Sequence, residues 1–349
     1  MTIDFKDFNM NRLSDESDFE EKVQIFLKEW FSPSKAVAVQ TSGSTGAPKI
    51  FQIEKNKMLS SAQMTCDFLK LKEGDSALLC LPVEYISGKM MLVRSISRKL
   101  KLTVKNPTSN PLENLSEEFD FCAMSPLQVE NSLEKIHLIR NLIIGGAKVS
   151  ENLKQKIHQA GLKNSKIYET YGMSETLSHI ALKQIYPVVE EYFTVFKGIE
   201  IDLDDRGCLI INAPKLSPEI IRTNDLVELI GDQKFKFIGR FDNVINSGGL
   251  KIHPEKLEAL VSKKLPNEVV FSALNDERLG QKLILIVEGE DSEELRHKIA
   301  DVLDEIEVSL SKNHRPKEIF YLPKFSRIPN GKINRKELLN LVQPYQTLL

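Results

Sequence analysis

The densest cluster of chemically useful side chains is Thr41-Ser42-Gly43-Ser44-Thr45-Gly46-Ala47-Pro48-Lys49, between the apolar runs Ala36–Val39 and Ile50–Ile53. It reads as a tight loop joining two strands. Gly43 and Gly46 permit positive φ and let the backbone approach a ligand closely. Ser42, Ser44 and Thr45 offer hydroxyl donors, successive N–H groups can form an anion-binding concavity, and Lys49 adds positive charge. That set suits a phosphate chain. It is not the P-loop of ordinary NTPases, G-x-x-x-x-G-K-[ST], because Pro48 stands between Gly46 and Lys49. A flexible hairpin turn would have a similar composition.

Four further stretches carry candidate chemistry. Gly145-Gly146-Ala147 follows an apolar run and permits flat approach of a ring, although a simple turn before a helix would look the same. In Tyr168-Glu169-Thr170-Tyr171-Gly172-Met173-Ser174-Glu175-Thr176, Tyr171 could stack on a base, and Ser174 and Glu175 offer hard oxygens for a phosphate and its Mg²⁺. Asp225, expected just before a strand, could hold ribose hydroxyls or cap a turn. Lys332, in Arg327-Ile328-Pro329-Asn330-Gly331-Lys332-Ile333-Asn334-Arg335, sits on a glycine-bearing loop before a helix, where a solvated surface charge is the plain alternative.

The elements that must position these residues are legible from periodicity. Phe19, Val23, Phe26, Leu27 and Trp30 recur at helical spacing after the cap-rich Ser14–Asp18. Beyond the glycine loop, short apolar strands alternate with helices up to Thr170, the pattern of a largely parallel α/β sheet. Asn141–Ile144 is one such strand and Pro126–Leu133 one such helix. From about Ile180 the texture turns β-rich, and the last hundred residues read as a separate small α/β unit. The predicted organisation is a large N-terminal domain over 1–239, a hinge at 240–242 and a mobile C-terminal domain over 243–349. Lys plus Arg total 47 and Asp plus Glu 49, a net charge of −2, so no basic field recruits nucleic acid or anionic membrane. No apolar run reaches the roughly 18 residues of a membrane span. The N-terminus lacks a signal-peptide core, and the four cysteines are scattered with no C-x-x-C pair, which fits a reducing cytoplasm and no structural zinc.

These motifs occur in one order with one set of spacings, and the chain resembles the acyl-adenylate-forming superfamily of acyl-CoA synthetases, aryl-CoA ligases, luciferases and peptide-synthetase adenylation domains. The resemblance runs from about Thr41 to Glu337; Thr-Ser-Gly-Ser-Thr-Gly-x-Pro-Lys carries it, with Gly-Arg-x-Asp at Gly239–Asp242 and Gly-Lys-Ile-x-Arg at Gly331–Arg335. It implies a ligase that uses ATP, Mg²⁺ and CoA with a small-molecule carboxylic acid. The loop Thr41–Lys49 would hold the β- and γ-phosphates. Gly145, Gly146, Ala147, Glu169, Thr170, Tyr171 and Gly172 would line the adenine pocket. Ser174 and Glu175 would meet the α-phosphate and Mg²⁺, and Asp225 and Arg240 the ribose. Asp242 would be the hinge, Lys332 the catalytic lysine, and Ser247-Gly248-Gly249 part of the CoA channel.

A narrower resemblance is to the o-succinylbenzoate–CoA ligases of menaquinone biosynthesis, carried by Tyr85-Ile86-Ser87-Gly88 with Arg94 downstream, and by Tyr171–His179. It implies a substrate pocket formed by Tyr85, Gly88, Arg94, Ser178 and His179, with Arg94 as partner for a second carboxylate; an Arg on a helix surface is the alternative. Another aryl- or acyl-CoA ligase and a non-catalytic nucleotide-binding paralogue are the other readings. The chain departs from the family in having Asn224 where a glycine is usual, Tyr85 where many relatives have His, and only 40 residues ahead of the phosphate loop. Dimers are common in the family, and a homodimer covering the exposed sheet is one arrangement the shorter lobe suggests.

Overall fold

The computed structural model describes residues 1–13, 17–40, 50–310, 312–328 and 332–343, without the side chains of residues 12 and 309. The stretch Thr41–Lys49, expected to hold phosphates, and the Pro329–Gly331 segment therefore lie outside the described residues. In chain order the first strands are β1 (Thr2–Asp4), β2 (Ala36–Gln40), β3 (Ile50–Glu54), β4 (Ser76–Leu79), β5 (Lys101–Val104), β6 (Phe119–Met124), β7 (Ile139–Ile144) and β8 (Lys166–Gly172). There follow β9 (His179–Tyr186), β10 (Phe193–Val195), β11 (Glu200–Leu203), β12 (Cys208–Asn212), β13 (Ile221–Ile230) and β14 (Lys234–Arg240). The last are β15 (Ile245–Ser247), β16 (Leu250–Ile252), β17 (Val269–Asp276), β18 (Gly280–Glu288) and β19 (Glu318–Leu322). The helices are α1 (Asp18–Phe31), α2 (Lys55–Phe68), α3 (Ile86–Arg98), α4 (Pro126–Asn131), α5 (Glu151–Gln159), α6 (Pro254–Val261), α7 (Glu293–Ser309) and α8 (Arg335–Val342).

A 12-stranded sheet runs in the order β1-β5-β4-β6-β7-β8-β9-β10-β14-β13-β12-β11. Its centre, β5-β4-β6-β7-β8, is parallel, and the β-rich segment extends the same sheet antiparallel from β9 to β11. Parallel strands buried on both faces read as short apolar runs, which is why a strand is expected at Asn141–Ile144; β7 begins two residues earlier, at Ile139, because exposed Arg140 and half-buried Asn141 interrupt the apolar run. The chain leaves β4 for α3 and β5 on one side and returns to β6 on the other, so strand order reverses at β4. The carboxyl ends there form the crevice where open α/β sheets bind ligands.

The helix expected around Phe19–Trp30 is α1. Ser17 caps it by accepting from the Glu20 N–H at 3.3 Å, Asp18, Glu20 and Glu21 occupy its first turn, and Phe19, Val23, Phe26, Leu27 and Trp30 are buried. The helix expected over Pro126–Leu133 is shorter. Its proline and the Ser125–Gln128 capping box start it correctly, but at Leu133 the chain tightens into a 3-10 turn through Leu138.

Helix α3 governs the site. It lies against α2 and the sheet, and Met90, Met91, Leu92 and Val93 are all at most 1 % exposed. Each such side chain contributes roughly 1.5–3 kcal/mol on burial, enough to offset a polar group held among them. Its first turn can approach the β4 exit because residue 88 is glycine: a Cβ there would stand 2.3 Å from the Pro82 carbonyl oxygen and 2.7 Å from that of Leu81. Beyond β14 a second sheet, β16-β15-β18-β17 with β19 on β18, has its own apolar cores. Leu257, Val261, Ile299 and Leu303 fill one, and Phe325, Leu338 and Val342 the other.

Gly88→Ala is expected to destabilise the protein by about 1–3 kcal/mol, the usual range for overpacking against backbone that cannot yield. Urea unfolding measures it, and an unchanged midpoint would mean that α3 is free to shift.

Candidate active site at the carboxyl edge of the sheet

Residues far apart in sequence meet at this edge. Tyr85 follows β4, Gly145 follows β7 and Ser174 follows β8. Gln40, the last described residue before Thr41–Lys49, forms a parallel bridge to Tyr85. The β2–β3 pair expected around that stretch is present in register from Ala36↔Glu54 to Gln40↔Ile50. Lys89 donates from α3 to the Ala38 carbonyl and so ties the hairpin to the helix.

Arg94 is the least ordinary residue of the site. It is 2 % exposed, which rules out the helix-surface alternative. One terminal nitrogen donates to Ser178 Oγ at 3.1 Å, the other reaches only Met91 Sδ at 3.9 Å, and buried Nε has no partner. No carboxylate among the described residues pairs with it. Burial pushes its pKa down to about 10.

The hydrogen bonds around Arg94 have one direction. A guanidinium only donates, so Ser178 Oγ accepts from it and turns its own hydrogen toward His179 Nδ1, 3.4 Å away. The imidazole proton then sits on Nε2 and donates to Thr65 Oγ1 at 3.1 Å, and the Thr65 hydroxyl donates to the Ser61 carbonyl at 3.2 Å. Burial, with Arg94 alongside, holds His179 well below its ordinary range, so the ring stays neutral at neutral pH. Ser178 and His179 are thus committed to Arg94 and Thr65. The unused hydrogen-bonding capacity of this cluster lies on the guanidinium itself.

On the other wall Tyr171 lies inside β8, not past its end, because β8 pairs with β9 through Gly172. Its ring packs edge-on to Phe235 at 4.8 Å, and its hydroxyl donates to Asp225 Oδ2 at 2.5 Å. Burial and the neighbouring Asp225 push that phenol far above its usual range. Asp225 is likewise within a strand, paired with Arg240 across β13–β14, and does not precede one. That corrects the expected placement and rules out the turn-cap alternative. Polar Arg222-Thr223-Asn224 ahead of Leu226-Val227 gave no sign that the strand begins as early as Ile221. Arg240 donates to Asp225 at 3.1 Å and to Asp242 at 2.9 Å. Asn224, the departure from the family glycine, donates to both Asp242 oxygens, and Arg206 donates to Asn224.

Glu169 is buried and turned to Lys183 at 3.0 Å and Lys154 at 3.7 Å, and it accepts from the Val149 N–H. Burial works against its charge, but the two lysines hold its carboxyl below the usual range. Gly145 and Thr170 touch: a Cβ on Gly145 would lie 2.8 Å from Thr170 Oγ1. Gly146, at φ 87°, makes the turn, with Ala147 half-buried after it. Gly172 is needed where β8 meets β9, since a Cβ would stand 2.4 Å from His179 Cα. Ser174 and Glu175 are exposed on the short 3-10 turn Ser174–Thr176. That turn ends in a strained γ-turn in which the Ser178 N–H donates to the Thr176 carbonyl at 2.7 Å, with Leu177 at φ 67°. No residue type in the sequence signals it. No group of three or more His, Cys, Asp or Glu among the described residues could hold a metal. One exposed carboxylate, Glu175, fits Mg²⁺ bound chiefly through nucleotide phosphates.

Asp242 lies in the 3-10 turn Phe241–Asn243 between the two sheets, and Gly248 and Gly249, at φ 58° and 83°, make the tight β15–β16 turn after Ser247. Lys332 is exposed on the C-terminal unit, where its carbonyl accepts from the Ile328 N–H beside the Arg327↔Ile333 bridge. Sequence reasoning missed Thr65, Lys154 and Lys183. Their partners are as much as 114 residues away, as for Thr65 and His179, and no local pattern reports such contacts.

A family model described as AMP-binding enzyme matches residues 1–206. The 2-succinylbenzoate–CoA ligase of Lactococcus lactis is 28% identical over 327 residues, 87% of this chain and 70% of that protein. Its Escherichia coli namesake is 24% identical over 88% of this chain and 69% of its own length. Among solved structures, an acyl-CoA synthetase (AMP-forming)/AMP-acid ligase II-like protein from Dyadobacter fermentans is 33% identical with a TM-score of 0.67, covering 98% of this chain and 99% of that one. The Bacillus subtilis o-succinylbenzoate coenzyme A synthetase, solved with ATP and magnesium, has the same fold, with a TM-score of 0.70 over 86% of this chain and 69% of that one at 21% identity.

Because burial holds Arg94 near a pKa of 10, below its unfolded value, its charged form opposes folding at every pH below about 10. At neutral pH the penalty is about 3 kcal/mol. Arg94→Met, which fills the space without the charge, is expected to raise the unfolding free energy by about 1–3 kcal/mol in urea titration at pH 7. A loss of stability would show that the guanidinium is already compensated without ligand.

Proposed function

Because the chain belongs to the AMP-binding enzyme family, we propose that it is an ATP-dependent carboxylic acid–CoA ligase working through an acyl-adenylate, with o-succinylbenzoate as the acid. The observation that carries the substrate is Arg94: a buried guanidinium with no carboxylate partner among the described residues suits an acid that has a second carboxylate to bring. The similarity to two 2-succinylbenzoate–CoA ligases supports the same acid.

A carboxylate is a poor electrophile, because attack adds charge to an anionic group. In the first half-reaction a substrate carboxylate oxygen attacks the α-phosphorus of ATP, and the bond to pyrophosphate breaks. The loop Thr41–Lys49 holds the leaving phosphates. Tyr171 and the Gly145–Ala147 turn bound the base, and Asp225, already fixed by Tyr171 and Arg240, meets the ribose. Glu175, with phosphate oxygens, would hold Mg²⁺, which would supply charge neutralisation. The Lys332 ammonium stabilises charge on the phosphoryl oxygens without giving up a proton. In the second half-reaction the CoA sulfur attacks the acyl carbon and AMP leaves. Rotation at Asp242 withdraws Lys332 and brings up the Ser247-Gly248-Gly249 turn, a gating step in which one site serves two reactions.

A panel of carboxylic acids in a pyrophosphate-release assay, with and without CoA, tests the reading. Release with o-succinylbenzoate and thioester only when CoA is present are the expected results; activity confined to fatty or simple aryl acids would remove the substrate and leave the ligase. Arg94→Met should lower kcat/KM for o-succinylbenzoate roughly ten- to hundredfold, the loss of one bond to a charged group. It should change little for benzoate-like acids, and a uniform loss would make Arg94 a packing residue. Lys332→Ala should nearly abolish adenylate formation yet spare thioester formation from supplied acyl-adenylate, as measured by single-turnover kinetics of each half-reaction.

A further inference from the structure

Arg335 closes the Gly-Lys-Ile-x-Arg motif, and nothing above gives it a task. It is the first residue of α8, three positions after Lys332. Its NH2 donates to Glu258 Oε2 at 2.5 Å, and its NH1 to the Phe271 carbonyl at 3.3 Å. Glu258, 7 % exposed on α6, accepts the Phe271 N–H on its other oxygen at 2.9 Å. Phe271 belongs to β17, which pairs only with β18 and so is an edge strand. The pair Glu258–Arg335 therefore satisfies both backbone groups on the free side of Phe271, where an edge would otherwise stand open. It also joins three elements at one point: α6, which follows the hinge and packs on β14, the sheet edge, and the root of the Lys332 segment.

We propose that Arg335 is a positioning residue for Lys332, and that the Glu258–Arg335 clamp on the β17 edge sets where the Lys332 segment stands relative to the hinge. This rests on the reading of Lys332 as the adenylation lysine. A long flexible side chain delivers its ammonium reproducibly only from a fixed base, and the bidentate reach of a guanidinium to a carboxylate and a carbonyl supplies that fixity. Arg335→Lys keeps the charge but replaces the rigid planar fork with a compact ammonium whose donors rotate, so it fixes the carboxylate and the carbonyl less rigidly.

Removing Arg335 alone would leave Glu258 buried and unpaired, and burial already pushes its carboxyl above the ordinary range. The deciding variant is therefore Glu258→Gln with Arg335→Met, which removes both charges and keeps an acceptor for the Phe271 N–H. The full-length double variant should unfold as cooperatively as wild type. Its single-turnover adenylate formation should fall roughly ten- to hundredfold, the scale of a displacement near 1 Å at a reacting group. Thioester formation from supplied acyl-adenylate should stay within about twofold. Arg335→Lys should show the same asymmetry to a smaller degree. Equal loss in both half-reactions, or unimpaired adenylation, overturns the proposal. Lys332→Ala separates the two failures. If it lacks the asymmetry, the reading of Lys332 fails and takes the clamp's role with it; if it has the asymmetry and the double variant does not, only the positioning role is wrong.

Discussion

One charge buried without a counter-charge among the described residues organises the α3 side of this molecule. Arg94 sits where hydration is lost and nothing ionic among the described residues replaces it. The arrangement is tolerable because the four residues preceding it on α3 bury their side chains almost completely. Gly88 lets the helix seat against the β4 exit, and His179 stays neutral instead of adding a second cation. Stability is lowered locally, a balance common where binding sites are built into cores.

The nucleotide side is organised differently. There the charges are compensated: Asp225 by Arg240 and the Tyr171 hydroxyl, Glu169 by Lys183 and Lys154. These groups are held before any ligand arrives, so they need little reorganisation when one does. The contrast sets a compensated, hydrogen-bonded cluster against one in which a buried guanidinium has no counter-charge among the described residues.

Much of this was legible in the sequence, for physical reasons that differ by element. The parallel centre announced itself through short apolar runs such as Leu142–Ile144, and α1 through its spacing and its acidic first turn. The meeting of Arg94, Ser178 and His179 came from resemblance, since a single chain carries no record of contacts between α3 and β9. Asp225 was misplaced because polar Arg222-Thr223-Asn224 hides the start of a strand whose early residues face solvent and the site. The γ-turn at Leu177 and the clamp at Glu258 left no local trace. Strain and edge capping are decided by tertiary neighbours, and residue type alone does not encode them.

The β2–β3 pair stands apart from the 12-stranded sheet. It is fastened by Val37, Val39 and Ile53 against the core, and by polar ties from Glu29, Lys55 and Lys89. A two-stranded ribbon has little cooperativity of its own. Its amide hydrogens will therefore exchange through a local opening far cheaper than global unfolding, while those of β4 to β8 wait for the whole slab to melt. The ribbon can breathe without disturbing the scaffold.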